Sequence, residues 1–212
     1  MDRLELFEAV QAMCHRNDLR DFFDTALKMG ESIINQRVRA TEMVVFGSID
    51  TSVPETYPGA WLLPADFLEM RDVVIPFNGG RQRLRSAGRD EISDWSYSTG
   101  RPQIYSIYDG VIEFRPVPSA VIDVIYFGRL PALVEDDDTN LVLTSFPELY
   151  IWAVLVGVYA WTQNDQQHAA AMAKFNEATA SVNDFAENAR FGAGMQTYTG
   201  RRFGTRGQVR WA

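Results

Sequence analysis

The chain has 212 residues, of which 46% are hydrophobic and 23% charged, a composition typical of a globular protein with one large or two small domains. Its formal net charge of −8 argues against general nucleic-acid binding, because contacts to phosphate require a cationic surface. The single cysteine, Cys14, excludes an internal disulfide, and the N-terminus has acids but no apolar signal sequence, so we expect synthesis in the cytoplasm.

Two amphipathic helices are predicted in residues 1–42. Asp2 and Glu5 form a capping pair at the start of the first helix. Asn17 and Asp18 can cap the second helix. Apolar residues of the second helix recur at steps of three and four and form a stripe: Leu19, Phe22, Phe23, Ala26, Met29, Ile33, Ile34 and Val38. Such a stripe requires helical partners.

Residues 43–130 predict a small antiparallel β module. Short runs of β-branched and aromatic residues indicate six strands, at 44–49, 73–77, 82–85, 104–108, 111–115 and 121–127. Asn78-Gly79-Gly80 and Asp109-Gly110 supply the positive φ that tight hairpin turns require. Two short helical pieces, at 65–70 and 90–95, are expected to cross between strands. The module is therefore expected to be a sandwich or barrel inserted between helices.

Two further helices are predicted in residues 131–190. The first has a Ser145–Glu148 capping pair and is apolar from Leu149 to Trp161, so it must be a core helix without a side facing water. This apolar run is shorter than the roughly 20 residues of a membrane-spanning helix. Gly157 either admits the backbone of another helix or merely avoids overpacking.

The last helix follows a break at Asn164-Asp165. Its apolar stripe consists of Met172, Phe175, Thr179, Val182, Phe185, Ala186 and Ala189. The predicted fold class is thus α+β: a four-helix bundle of two N-terminal and two C-terminal helices, an inserted small antiparallel β module and an extended C-terminal arm. The predicted domains are 1–42, 43–130, 131–190 and 191–212.

The C-terminal segment differs in charge from the rest of the chain. Residues 188–212 contain five arginines and no acid, a charge of +5, so residues 1–187 carry −13. The segment has five glycines and no helical or strand period, which is compatible with a frayed terminus. Its aromatic residues favour a partner-binding arm instead, because such residues serve as interface anchors. The candidate anchors are Arg201, Arg202, Phe203, Arg206, Arg210 and Trp211.

No catalytic, cofactor-binding or metal-binding motif is found, so we expect no enzyme, no cofactor and no metal. Cys14 beside His15 is interpreted as a buried thiol next to a surface imidazole. The acidic run Asp136-Asp137-Asp138 lacks the alternating ligands of a calcium-binding loop and is interpreted as a solvated connector. An enzyme would have to use carboxylates, for which the candidates are Asp72, Glu91 and Glu113.

Five sequence segments, in order, resemble the head-to-tail adaptor proteins of tailed bacteriophages. They are INQRVRATEM, LPADFLEMRDV, YDGVIEFRPVPS with IDVIYFGRLPAL, the acidic loop, and FPELYIWAVL. The resemblance extends from about Asp18 to Arg190, and none of these segments is a catalytic signature. The glycine- and arginine-rich arm departs from this pattern.

The resemblance implies a structural virion protein made in the host cytoplasm. Such proteins form a ring, typically of twelve copies, below the portal ring of the DNA-filled capsid, and the tail or nozzle protein attaches to the other side. Genome DNA would pass through the channel without sequence-specific binding, and no membrane is involved. The arm would reach the portal, and the helical bundles would pack side by side. The expected packing residues are Phe22, Ile33, Trp152, Gly157, Phe175 and Phe185.

One alternative remains open from the residues alone. The chain could be a monomeric or dimeric helical protein that forms no ring and whose β module binds or hydrolyses carbohydrate.

Overall fold

A computed structural model describes residues 1–52, 59–77 and 79–191 of the chain. Within these residues there are six α-helices, one 3-10 turn (Thr41–Met43) and eight β-strands. The helices are α1 (Arg3–Cys14), α2 (Phe23–Arg37), α3 (Arg89–Ser93), α4 (Leu141–Ser145), α5 (Pro147–Trp161) and α6 (Asp165–Phe191). The strands are β1 (Val44–Asp50), β2 (Ala60–Leu62), β3 (Phe67–Phe77), β4 (Gly80–Arg83), β5 (Arg85–Ser86), β6 (Ile104–Tyr108), β7 (Val111–Arg115) and β8 (Val121–Gly128).

Helix α5 lies at the centre of the helical part. Helices α1, α2, α4 and α6 all pack against it. Residues 149–158 are buried, except that Ile151 and Trp152 are half-buried. The surrounding helices contribute to one apolar core, with Leu6 and Val10 from α1, Ala26, Leu27 and Ile34 from α2, Val142 and Leu143 from α4, and Phe175 and Val182 from α6. A helix without a polar side is thereby removed from water.

The strands form two four-stranded sheets that pack face to face. The first sheet has the order β1-β8-β3-β4 and is antiparallel throughout. The second has the order β2-β7-β6-β5, with β5 parallel to β6. Both sheets contribute to one apolar cluster, which includes Ile49, Trp61, Val73, Ile75, Tyr105, Ile112, Phe114, Ile122 and Val124. This sandwich has a core of its own, separate from the one around α5.

The predicted four-helix bundle with a small β module is wrong. The described residues form two complete sheets and six helices, so the strands make up a far larger part of the architecture than expected. Residues 65–70 are not a helix, because most of them belong to the eleven-residue strand β3, which pairs with β8 across two register shifts. The expected strand at 82–85 is divided between β4 and β5, which lie in different sheets. Strand β2 was not predicted.

Two predicted helix starts are also wrong. Ser145 ends α4 instead of capping α5, which begins at Pro147 after Phe146 leaves the helical conformation. Proline disfavours the helical conformation in the residue before it, which accounts for this break. Helix α2 begins at Phe23, and no side chain in the described part of the chain caps it; Asn17 and Asp18 lie in a bend before it.

The division of the chain into 1–42, 43–130, 131–190 and 191–212 stays a prediction. The last of these segments lies outside the described residues except for Phe191, where α6 ends.

Candidate interaction surfaces

Small residues bring the backbones of α2 and α5 together. A Cβ on Gly157 would lie 3.2 Å from both Cα and the carbonyl oxygen of Ala26. A Cβ on Gly30 would lie 3.1 Å from the carbonyl carbon of Ala153. Each helix therefore places a glycine against the backbone of the other, and neither position has room for a side chain.

The other predicted packing residues lie at different depths. Phe175 is fully buried in the core around α5, while Phe22, Ile33 and Trp152 are half-buried at its margin. Phe185, by contrast, is 58% exposed on α6. In the single chain it is therefore a surface residue, available to a neighbouring molecule.

One end of the helical part is strongly acidic. We call residues 1–24 and 131–140 the acidic end, because they contain ten aspartates and glutamates but three arginines, a net charge of −7. The two segments are far apart in sequence but joined in the fold: the amide of Arg3 donates to the carbonyl of Asp138 at 2.9 Å, and the amide of Leu4 donates to that of Asp136 at 3.0 Å. The acids of the connector are thus held beside those of α1.

Arg3 and Asp138 order the acidic end. The guanidinium of Arg3 binds the carboxylate of Asp24 at 2.5 Å and also pairs with Asp136. The carboxylate of Asp138 accepts from the amides of Val134 at 2.7 Å and Glu135 at 2.8 Å. These backbone hydrogen bonds, with that of Glu135 the larger, lower the pKa of Asp138 below its ordinary value. The connector therefore has a defined shape although most of it is exposed.

Exposed apolar side chains lie among these acids. Leu4 is 44% exposed, Val134 67% and Leu141 65%. Leu4 also lines a hollow of about 220 Å³, together with Phe7, Phe23, Arg3, Arg20, Asp24 and Asp136. Apolar groups surrounded by charges are typical of a docking surface.

Two polar side chains of α2 fix the connector in place. The carboxylate of Glu31 accepts from the amide of Leu133 at 3.1 Å, and the side-chain oxygen of Asn35 accepts from the amide of Leu130 at 3.2 Å. Glu31 is 9% exposed, and this burial raises the pKa of its carboxyl group above the ordinary value. The connector thus runs along α2 from the sheets towards the acidic end.

Each of the three candidate catalytic carboxylates pairs with an arginine. Asp72 pairs with Arg83 at 3.4 Å, Glu91 with Arg85, and Glu113 with Arg115. They lie on β3, α3 and β7, three separate elements. Each carboxylate thus has its own arginine, and the arrangement matches an ion-pair role.

The second sheet contains a buried ion pair, Arg115 with Glu113, that the sequence did not predict. Arg115 is 1% exposed and Glu113 5%, and the hydroxyl of Tyr108 donates to Glu113 at 2.6 Å. The ring of Tyr97 covers the guanidinium, with its centroid 3.8 Å away. Gly59 has a φ of +87°, which favours glycine, and a Cβ there would lie 2.7 Å from Nη1 of Arg115. From strand alternation alone, this charged face of β7 is expected to be solvated. It is buried because residues from outside the strand cover it.

The predicted arm residues Arg201, Arg202, Phe203, Arg206, Arg210 and Trp211 lie outside the described residues. Among the residues that the structure does describe, no three or more histidine, cysteine, aspartate or glutamate side chains form a group that could hold a metal ion. Cys14 is half-buried. No helix within the described ranges has the length and apolar character needed to cross a membrane.

Comparison with known protein families places the chain in one of them. The model of the family described as SU10 adaptor protein matches residues 1–201, nearly the whole chain. No curated protein matches.

Proposed function

Because the chain belongs to the SU10 adaptor protein family, we propose that it forms a ring below the portal of a tailed bacteriophage and joins the DNA-filled capsid to the tail or nozzle. The family makes it a structural adaptor protein of the virion that associates with portal and tail proteins. The match over residues 1–201 is the observation that carries this proposal.

The surface of the single chain supports the ring. Phe46 is 77% exposed on β1 and Phe185 58% exposed on α6, in addition to the exposed apolar residues of the acidic end. Large apolar side chains at separate places on one chain are expected where neighbouring copies and two different partners cover them. Twelve copies is the number that the resemblance to head-to-tail adaptors implies.

The ring would continue the DNA channel of the portal. Residues 1–187 carry −13, and an acidic wall repels phosphate, so the genome would pass without sequence-specific binding. The protein would be made in the host cytoplasm before it joins the virion.

The C-terminal arm is the proposed portal contact. Arg201, Arg202, Arg206 and Arg210 would pair with carboxylates of the portal, while Phe203 and Trp211 would fill apolar sites. Deletion of residues 195–212 should leave the melting temperature unchanged and weaken capture by the portal protein at least about tenfold, a loss of about 1.4 kcal/mol. Trp211→Ala and Arg206→Glu should each lose part of this binding, and raised salt should weaken the arginine contribution first.

The protein is proposed to have a structural role and no catalytic activity. The candidate carboxylates are each held by an arginine, so none is set up as a free acid or base. Purified protein should not hydrolyse cell-wall glycans. Specific hydrolysis that Glu113→Gln or Asp72→Asn abolishes would instead establish the carbohydrate-active alternative.

Mass measurement of the protein mixed with its portal tests the whole proposal. An adaptor should give a ring complex of fixed stoichiometry on the portal. In a capture experiment, the portal should retain the full-length chain at low and at raised salt. A chain that remains unbound at every ratio would overturn the proposal. Equal capture of the full-length and truncated chains would remove the arm from it while leaving the ring.

A further inference from the structure

We infer that the acidic end of one copy is the docking surface for residues 192–212 of a neighbouring copy. This inference rests on the proposed ring, since it concerns a contact between copies. It adds a second binding site for a segment that is proposed above to bind the portal.

Charge complementarity selects this segment as the occupant. The acidic end has a net charge of −7, whereas residues 192–212 contain four arginines and no acid. Within the described part of the chain, Glu8, Glu135 and Asp137 form no ion pair, although all three are exposed. These acids can therefore receive guanidinium groups without breaking an existing pair.

The apolar groups are complementary as well. Residues 192–212 include Tyr198, Phe203 and Trp211. The acidic end offers Leu4 and Val134 at its surface, with exposed Leu141 directly after it, and a hollow of about 220 Å³ lined in part by Phe7 and Phe23. A cavity of about 150 Å³ holds benzene, so this hollow has room for one aromatic ring. An arginine-rich segment with aromatic anchors would thus meet acids and apolar groups in the same place.

Helix α2 separates the start of the segment from the acidic end. At the N-terminal end of α2, Asp24 binds Arg3. Beyond its C-terminal end, the side chain of Asn183 on α6 accepts from the amide of Arg39 at 2.8 Å. The 15 residues of α2 span about 22 Å, so α6 leads away from the acidic end of its own chain.

The length of the segment allows it to reach another copy. Its 21 residues can extend over roughly 70 Å. A contact between two different surfaces of one chain is heterologous, so it can link successive copies head to tail before they meet the portal. Because the portal would bind the same arginines and aromatic residues, the neighbouring copy holds the segment until the portal displaces it.

Two altered chains test the inference by complementation. The first ends at residue 191 and keeps the acidic end but lacks the segment. The second is full-length and carries Glu135→Lys and Asp137→Lys, so it keeps the segment but has an altered acidic end. Sedimentation velocity should show that neither self-associates, while an equimolar mixture forms a complex and the unaltered full-length chain associates as its concentration rises. Raised salt should weaken both associations.

A matched control separates the site from overall charge. Asp90→Lys with Asp94→Lys makes the same charge change at two exposed acids, one in the first turn of α3 and one at its C-terminal cap. This full-length variant should associate like the unaltered chain. A cooperative thermal melt should show that each variant is folded. If the full-length chain associates no more than the truncated one, or if the control loses association equally, the inference is overturned. A segment bound only within its own chain, which gives no association at any concentration, also overturns it.

Portal capture separates this inference from the proposed function. The Glu135→Lys/Asp137→Lys chain retains the arm, so the portal should still capture it. Absence of association between copies combined with normal portal capture would remove only this inference. Absence of portal capture for the unaltered chain would instead overturn the proposed function, whatever the copies do with each other.

Discussion

The helical core and the β-sandwich differ in how their buried polar groups are paired. Around α5, close approach of α2 depends on Gly30 and Gly157, and the buried carboxylate of Glu31 binds a backbone amide and has no ion-pair partner among the described residues. In the sandwich, Arg115 and Glu113 are both buried and paired with each other. The comparison indicates that the helical core depends on the fit of its backbones, whereas one face of the sandwich depends on the pairing of charges.

The largest effect is expected from breaking the buried ion pair. Arg115→Met removes the guanidinium and leaves Glu113 as an unpaired buried charge, which should lower the free energy of unfolding by about 3–5 kcal/mol. Urea unfolding measures this loss. Arg85→Met is the matched control in the same part of the chain, because its pair with Glu91 is exposed and should cost about 1 kcal/mol or less. Equal losses in the two variants would contradict the assigned role of the buried pair.

A smaller loss of stability is expected from a larger side chain at the crossing of α2 and α5. Gly157→Leu places a side chain against the backbone of Ala26, which cannot move aside without separating α2 from α5. The expected cost is about 1–3 kcal/mol or more, and any loss of ring assembly would follow from it. Gly88→Leu is the control, because no atom of the described residues lies within 4 Å of a Cβ there. If thermal melting shows no difference between Gly157→Leu and the unaltered protein, close backbone contact does not matter at this crossing.

A gain is expected from removing the buried charge of the helical part. Since the pKa of Glu31 is raised in the folded chain, its protonated form favours folding, and this contribution is lost as pH rises through the raised pKa. Glu31→Gln should therefore raise the melting temperature at neutral pH by about 2–4 °C, which corresponds to about 1 kcal/mol. The gain should vanish below the ordinary glutamate pKa of about 4.3. A gain that persists unchanged at low pH would mean that burial of the charge is not its cause.

The smallest effects are expected where the two regions are alike, at their exposed ion pairs. Arg81 is 3.6 Å from Asp123 in the first sheet, and Lys174 is 3.0 Å from Glu177 on α6. Arg81→Ala and Lys174→Ala should each change the free energy of unfolding by less than about 1 kcal/mol, because water and salt screen exposed charges. A loss above that limit in one variant would show that the surfaces of the two regions also differ.

Local patterns were sufficient for some elements of the fold. The strands predicted at 104–108 and 111–115 coincide with β6 and β7, and Asp109 and Gly110 between them have the positive φ of the predicted turn. The apolar run of α5 correctly predicted a helix enclosed by others. In each case the signal lies within a few neighbouring residues.

Contacts between distant segments account for what the sequence did not predict. The length of β3 depends on its pairing with β8, and the two resulting sheets replace the small module that was expected. Burial of Arg115 depends on Tyr97 and Gly59, neither of which lies on its strand. The acidic end could not be predicted either, because Arg3 and Asp136 are 133 positions apart. A single sequence contains no local trace of such pairings.

The pairing of β1 with β8 has an evolutionary consequence. Val44 and Phe127 are register partners, so the chain enters and leaves the sandwich through neighbouring strands about 5 Å apart. A segment with its two ends so close can be lengthened, shortened or exchanged while the positions of α2 and the connector stay the same.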